Sequence, residues 1–268
     1  MQADIEREAF AELVVSPGDN PVDRVERIFL ETNQRHLSSW MSQDDKRFRE
    51  TLAFVLGRFA EGRRLVQLVS EQMPQLMAPG SRVLDLGSGN GGVALPFASV
   101  GKGRFETHCL DVFRHRELTQ VVREAELEVL YAIGYGEHLP YADESFDLVL
   151  YLETVEHVAK PKSVGREIHR ILRPGGACIV STPPRVRFAF RPDPHYGVRW
   201  LVLLPNPLQK WIVERVARKG TRYEVTHLYW TSAGVLRTLP GLKSEAVNAR
   251  EGFLSRFLNW DLIVVRKH

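Results

Sequence analysis

The sequence predicts an α/β fold built on a mostly parallel sheet with helices on both faces. Two observations carry that expectation. From Arg82 onward, short apolar runs of strand length alternate with stretches of helical periodicity, the signature of βαβ units. The first run, Val83-Leu84-Asp85-Leu86, passes directly into Gly87-Ser88-Gly89-Asn90-Gly91-Gly92 and then into a helical pattern. Open α/β sheets present their ligand loops in that order.

The N-terminal part is helical. Phe48, Leu52, Val55, Phe59, Val66, Val69 and Met73 recur at three- and four-residue steps, which predicts one face of a long amphipathic helix. A shorter helix is expected before it around Val22, Val25, Ile28 and Phe29, and Pro74 and Pro79-Gly80 end the segment. Strands are expected at 82–86, 105–110, 128–133, 146–152 and 176–181, with helices near 91–100, 114–125 and 160–172. The last helix is expected to stop at Arg173-Pro174-Gly175-Gly176. Beyond Pro183-Pro184 comes a Pro- and aromatic-rich insertion, then a helix from Thr231 to Leu239 and strands near 243–249 and 259–266. The expected division is a helical segment (1–80), a core (81–183), a lid (184–230) and a C-terminal helix with two strands completing the core (231–268).

Composition sets limits on function. The chain has 268 residues, 44% hydrophobic and 26% charged, an ordinary globular balance. Cys109 and Cys178 lie in separate apolar runs with no CxxC spacing, which suggests neither a disulfide framework nor a cysteine zinc site. Residues 1–12 mix acids with small apolar residues, and no apolar stretch approaches about 18 residues, so a soluble, cytoplasmic protein is expected. Net charge is only +3, yet residues 185–222 hold nine Lys or Arg against Asp193 and Glu214, a local +7. That asymmetry suits an anionic acceptor, a membrane surface or a nucleic-acid backbone, or simply a solvated helix face.

The strongest chemical signal is the D-x-G-x-G-x-G stretch beginning at Asp85. Glycines let the backbone approach a ligand with its amides facing it. Asp85, two positions before the first glycine, separates this turn from that of nicotinamide-dependent dehydrogenases. On these residues the chain resembles the class I S-adenosylmethionine (SAM)-dependent methyltransferases over about residues 80–183. The resemblance implies a Rossmann-like, seven-stranded sheet closed by a C-terminal strand hairpin. It also implies that Gly87, Ser88, Gly89 and Gly91 hold the methionine part of SAM, with Asp85 near its amino group. Asp111, ending His108-Cys109-Leu110-Asp111-Val112, matches the acid that binds the ribose hydroxyls, a task suited to a carboxylate with acceptor sites to spare. Val112 and Leu152 join the cofactor set.

Further matches are Gly136-Glu137-His138-Leu139-Pro140 and Glu167-Ile168-His169-Arg170-Ile171-Leu172-Arg173-Pro174-Gly175-Gly176. Relatives often carry an Asp near the adenine amine where this chain has Tyr135, which leaves the adenine contact to Glu137, His138 or backbone. After the fourth strand, Glu153-Thr154-Val155-Glu156-His157 resembles the ubiquinone-pathway O-methyltransferases and, more distantly, small-RNA terminal 2′-O-methyltransferases. Two carboxylates and an imidazole this close could ligate Mg²⁺, Mn²⁺ or Zn²⁺, so Glu153, Glu156 and His157 form a candidate metal set. Without metal, His157 is the candidate general base or substrate-orienting residue. His195 and His227 are candidates to complete a site begun by Glu153 and His157. Trp200 to Pro205 and Trp211 to Val213 supply bulky apolar surface for a lid, a membrane contact or packing on the N-terminal helices.

The expected activity is O-methylation of a small-molecule or lipid- or sugar-linked metabolite. A metal-dependent RNA 2′-O-methyltransferase and a catalytically silent SAM-fold binding protein are the alternatives. No recognisable RNA-binding module or arrangement of stacking aromatics supports the former, and the intact glycine loop argues against the latter.

Overall fold

The computed structural model describes residues 20–182, 198, 200–216, 229, 232–245 and 262–268. Helix α1 (Pro21–Ser38) starts where the Asn20 side chain accepts the Val22 N–H, with Pro21 at a position that needs no amide donor. Helix α2 (Lys46–Gln72) is capped by Asp45 and buries Phe48, Val55, Phe59, Val66 and Val69 of the stripe predicted from spacing, together with Leu65, while Leu52 is half-buried. A 3-10 turn at Pro74–Met77 ends the segment.

Seven strands then appear: β1 (Arg82–Leu86), β2 (Glu106–Asp111), β3 (Val129–Ile133), β4 (Phe146–Leu152), β5 (Leu172–Ser181), β6 (Lys243–Glu245) and β7 (Ile263–Arg266). Their order is β3-β2-β1-β4-β5-β7-β6. The β1–β2, β1–β4 and β2–β3 pairs are parallel, whereas β7 runs antiparallel to both β5 and β6. The sequence therefore forms the expected mostly parallel seven-stranded sheet with helices, ending in the antiparallel strand pair. Parallel strands are covered on both faces and read as continuous apolar runs; Val83, Leu84, Leu148, Val149 and Leu150 are each fully buried.

The described residues form two compact units. The first contains residues up to Tyr135 together with Pro140–Leu150. In it, α3 (Ala94–Gly101) is buried along its whole length, and α4 (Arg116–Glu124) packs beside α1. The second contains Gly136–Leu139 and the residues from Tyr151 onward. It holds α5 (Pro161–Ile171), α6 (Asn206–Trp211), α7 (Ser232–Leu236) and strands β5 to β7.

Two of the boundaries that differ from the sequence expectation have a visible cause. Helix α3 begins at Ala94 rather than near 91, because Gly91 sits at φ 83° and the turn continues through it. Strand β5 begins at Leu172, so Arg173-Pro174-Gly175-Gly176 belongs to the strand instead of forming a separate turn. Its partner explains this: Gly175 N–H donates to the Lys267 carbonyl at 2.8 Å, Lys267 N–H donates to that of Gly176 at 3.0 Å, and the Lys267 ammonium reaches the Leu172 carbonyl. Long-range pairing overrode a local breaker signal.

Candidate functional site: a glycine loop with two aspartates

In the first unit, β1 delivers Asp85 to the head of the glycine loop, and β2 delivers Asp111 beside it. Gly87 and Ser88 N–H both donate to the Leu110 carbonyl, at 2.8 and 3.2 Å, which folds the loop over the end of β2. The Asp111 carboxylate accepts from Gly89 N–H at 2.8 Å and from Phe113 N–H at 3.0 Å, and His115 lies 3.6 Å away. Burial pushes the Asp111 carboxyl upward, but the His115 side chain and the Phe113 and Gly89 amides outweigh it and hold the group below its ordinary value. Each carboxylate oxygen keeps acceptor capacity beyond these bonds. Val112 and Phe113, next along the chain, present exposed apolar side chains.

Asp85 is 2% exposed, and one of its carboxylate oxygens has no hydrogen-bond partner among the described residues. Burial is the main cause that raises its carboxyl to about 7; Asp111 and Glu61 add to the rise, while Arg58 and the Ala94 amide oppose it. A buried acid with spare acceptor capacity is costly unless a cation or donor meets it. At Gly89, φ is 51° and a side chain would meet nothing within 4 Å, so the loop faces open space there. These features fit the amino-acid end of SAM: a buried carboxylate for an ammonium, and a loop that leaves room for a ligand.

The N-terminal helices hold the loop, and spacing alone did not predict that. Asn90 donates to the Asn33 side-chain oxygen of α1 at 3.1 Å, and Asn33 is itself anchored to the Phe29 carbonyl. A β-carbon at Gly92 would come within 2.9 Å of the Arg58 Cβ, and one at Gly62 within 2.6 Å of the Val93 carbonyl oxygen. Helix α2 thus crosses the loop at van der Waals contact, carrying the Arg58–Glu61 ion pair at 2.5 Å. The available signal was Gly62 inside a strong helical pattern, where glycine is unfavourable without a packing reason.

In the second unit the Gly136-to-Leu139 segment is pinned by α5. Leu139 N–H donates to Glu167 at 2.8 Å, and Arg170 bridges Glu167 and the Leu139 carbonyl. The Glu167-x-x-Arg170 spacing is one helical turn, which gives that motif a structural job. Glu137 accepts from the Lys160 N–H at 3.2 Å, and His138 is exposed. After Leu152, which is buried, Glu153 takes a left-handed backbone at φ 52°. Its N–H donates to the Ser181 carbonyl at 3.0 Å, and the Ser181 hydroxyl approaches its carboxylate at 3.4 Å. Glu156 is 1% exposed, whereas His157 is exposed and closes a turn by donating its N–H to the Thr154 carbonyl. Among the described residues no group of three or more His, Cys, Asp or Glu could hold a metal ion, so Glu153, Glu156 and His157 are not gathered into a metal centre. One acid points inward while the imidazole points out. His195 and His227 lie outside the described residues.

Residues 84–180 match the family described as "Methyltransferase domain". The chain is similar to the ubiquinone biosynthesis O-methyltransferase of Dinoroseobacter shibae, with 30% identity over 190 residues covering 62% of this chain and 74% of that protein. The similarity to the enzyme of the same name from Ruegeria pomeroyi is 40% over 108 residues, covering 38% of this chain and 41% of the relative. The chain thus spans about two fifths of the length of that relative. Among solved structures, PH0226 protein from Pyrococcus horikoshii OT3 shares the fold at a TM-score of 0.52 and 20% identity, over 77% of this chain and 91% of that one. The chain belongs to the class I SAM-dependent methyltransferases.

Proposed function

We propose that this protein transfers the methyl group of SAM to a hydroxyl oxygen of a small-molecule acceptor. The observation that supports this reading best is the Asp85–Asp111 pair flanking the glycine loop, with Asp85 buried and one of its oxygens open to a donor. The names of these two relatives favour oxygen as the methylated atom. When bound, SAM supplies an activated methyl on a sulfonium, so the protein's contribution is alignment and exclusion of water. Asp85 would hold the ammonium, the amides of Gly87 to Gly91 would cradle the amino-acid end, and Asp111 would accept from the ribose hydroxyls.

On the acceptor side, exposed His157 would take up the hydroxyl proton as general base. Glu153, beside Ser181, would orient the acceptor. The exposed rings of Trp200 and Trp211 with Lys210 and Arg215 offer an apolar, cationic surface suited to a lipid-linked or anionic acceptor. The decisive experiment is isothermal titration of the chelator-treated protein with S-adenosylhomocysteine, then transfer of labelled methyl to a panel of catechols and hydroxylated lipids, with and without Mg²⁺, Mn²⁺ or Zn²⁺. Micromolar binding and transfer dependent on His157 are expected. Absence of S-adenosylhomocysteine binding would overturn the reading.

A further inference from the structure

Helix α4 carries its acids and its arginines on neighbouring faces. Its acids turn toward α1: Glu117 meets His36 at 2.6 Å, and Glu124 meets Arg35 at 3.2 Å and accepts from Gln120 at 2.8 Å. Arg116, Thr119, Gln120 and Arg123 recur at steps of three and four and therefore share one face, which borders the acids at Gln120, the donor to Glu124. With Arg114, which precedes the helix, these four residues line a cavity of about 400 Å³. Among the described residues none of the three guanidinium groups forms an ion pair with an acid. Asp111, three positions before Arg114, is already engaged by His115 and two amides.

We propose that this cavity is a binding site for a phosphate-bearing anion. Three arginines lining one cavity beside a hydroxyl and a carboxamide offer planar, bidentate donors of the kind matched to phosphate oxygens, which an ammonium cluster would not. A volume of about 400 Å³ accommodates a pyrophosphate-sized group and lies within the range of small-molecule pockets. None of the lining residues belongs to the glycine loop or carries a role in methyl transfer, so the proposal stands apart from the SAM reading.

The test is calorimetric titration of the full chain with inorganic pyrophosphate, alongside sedimentation with phosphatidylcholine vesicles with and without phosphatidylglycerol. Wild type and an Arg116→Gln/Arg123→Gln variant are compared with Arg64→Gln/Lys102→Gln, which removes the same charge from exposed positions elsewhere, and circular dichroism confirms folding of each. Saturable pyrophosphate binding at one site is expected, weakened at least about tenfold in the cavity variant and unchanged in the control. Binding of phosphatidylglycerol vesicles lost only in the cavity variant would support the same chemistry and assign the phosphate to a lipid headgroup. No saturable binding in either arm, or equal weakening in both variants, would overturn the proposal.

Discussion

The Asp111 carboxylate accepts the backbone N–H of Gly89 at 2.8 Å, which fixes the glycine loop to the end of the neighbouring strand. One side chain thereby fixes the loop conformation and keeps acceptor capacity beyond that bond.

His115 should report on that carboxylate. Its hydrogen bond to Asp111 is the main cause raising the imidazole above its ordinary value, against the opposing effect of burial. A raised imidazole contributes stability that is complete below about pH 6.5 and is lost as pH rises through the folded value. Asp111, depressed, contributes stability above about pH 4 that disappears as pH falls through its own folded value. In Asp111→Asn the His115 ring resonances, followed by NMR, should titrate at lower pH than in wild type. An unmoved titration would show that the pair does not form in solution.

Asp85 sets stability against ligand binding. Its folded carboxyl, near 7 and raised chiefly by burial, holds a proton that the unfolded chain releases near 3.8. The unliganded protein should therefore lose stability as pH rises from about 4 to about 7, by up to on the order of 4 kcal/mol. Asp85→Asn should be more stable than wild type to urea at pH 8 and similar at pH 4, while binding S-adenosylhomocysteine about 100-fold more weakly at pH 8. Undiminished affinity in the variant would remove Asp85 from the ligand site.

Arg58 and Glu61 should tune that group in opposite directions. Arg58 lowers the Asp85 carboxyl and Glu61 raises it. Arg58→Ala should move the pH midpoint of S-adenosylhomocysteine binding upward by about one unit, Glu61→Gln should move it downward, and Arg58→Lys should restore most of the wild-type midpoint. Calorimetric titrations between pH 6 and 9 read all three; parallel shifts would show that the ion pair acts on folding alone.

What the sequence made legible was local. Asp85, Gly87, Gly89 and Asp111 are positioned by the backbone of one strand–turn–helix unit and the strand beside it, so residue type and spacing sufficed. The α2 stripe from Phe48 to Val69 was legible because helical burial is periodic. The Asn33–Asn90 bond, the Arg58–Asp85 interaction and the start of β5 were not, since each joins residues distant in sequence: 57 positions separate Asn33 from Asn90. The Glu153-to-His157 stretch shows the same limit. Spacing brings the three groups within five residues, but the left-handed turn at Glu153 and the burial of Glu156 send them in different directions.

The two glycines of α2 separate propensity from packing. Alanine is favoured over glycine in a helix by about 1 kcal/mol, so both Gly57→Ala and Gly62→Ala would stabilise an isolated helix. A β-carbon at Gly57 meets nothing within 4 Å, and that variant should gain most of the increment. At Gly62 the β-carbon would lie 2.6 Å from the Val93 carbonyl oxygen, 2.8 Å from its Cα and 3.0 Å from the Gly92 carbonyl oxygen. All three are backbone atoms, so relief requires α2 and the loop to separate, at a cost of about 1–3 kcal/mol for overpacking. Urea denaturation should therefore show Gly57→Ala more stable than wild type and Gly62→Ala less stable. Only Gly62→Ala should weaken S-adenosylhomocysteine binding, because only there does the displaced backbone belong to the loop that carries Gly89 and Gly91. Equal stabilisation by both substitutions would mean that α2 does not rest on the loop in solution.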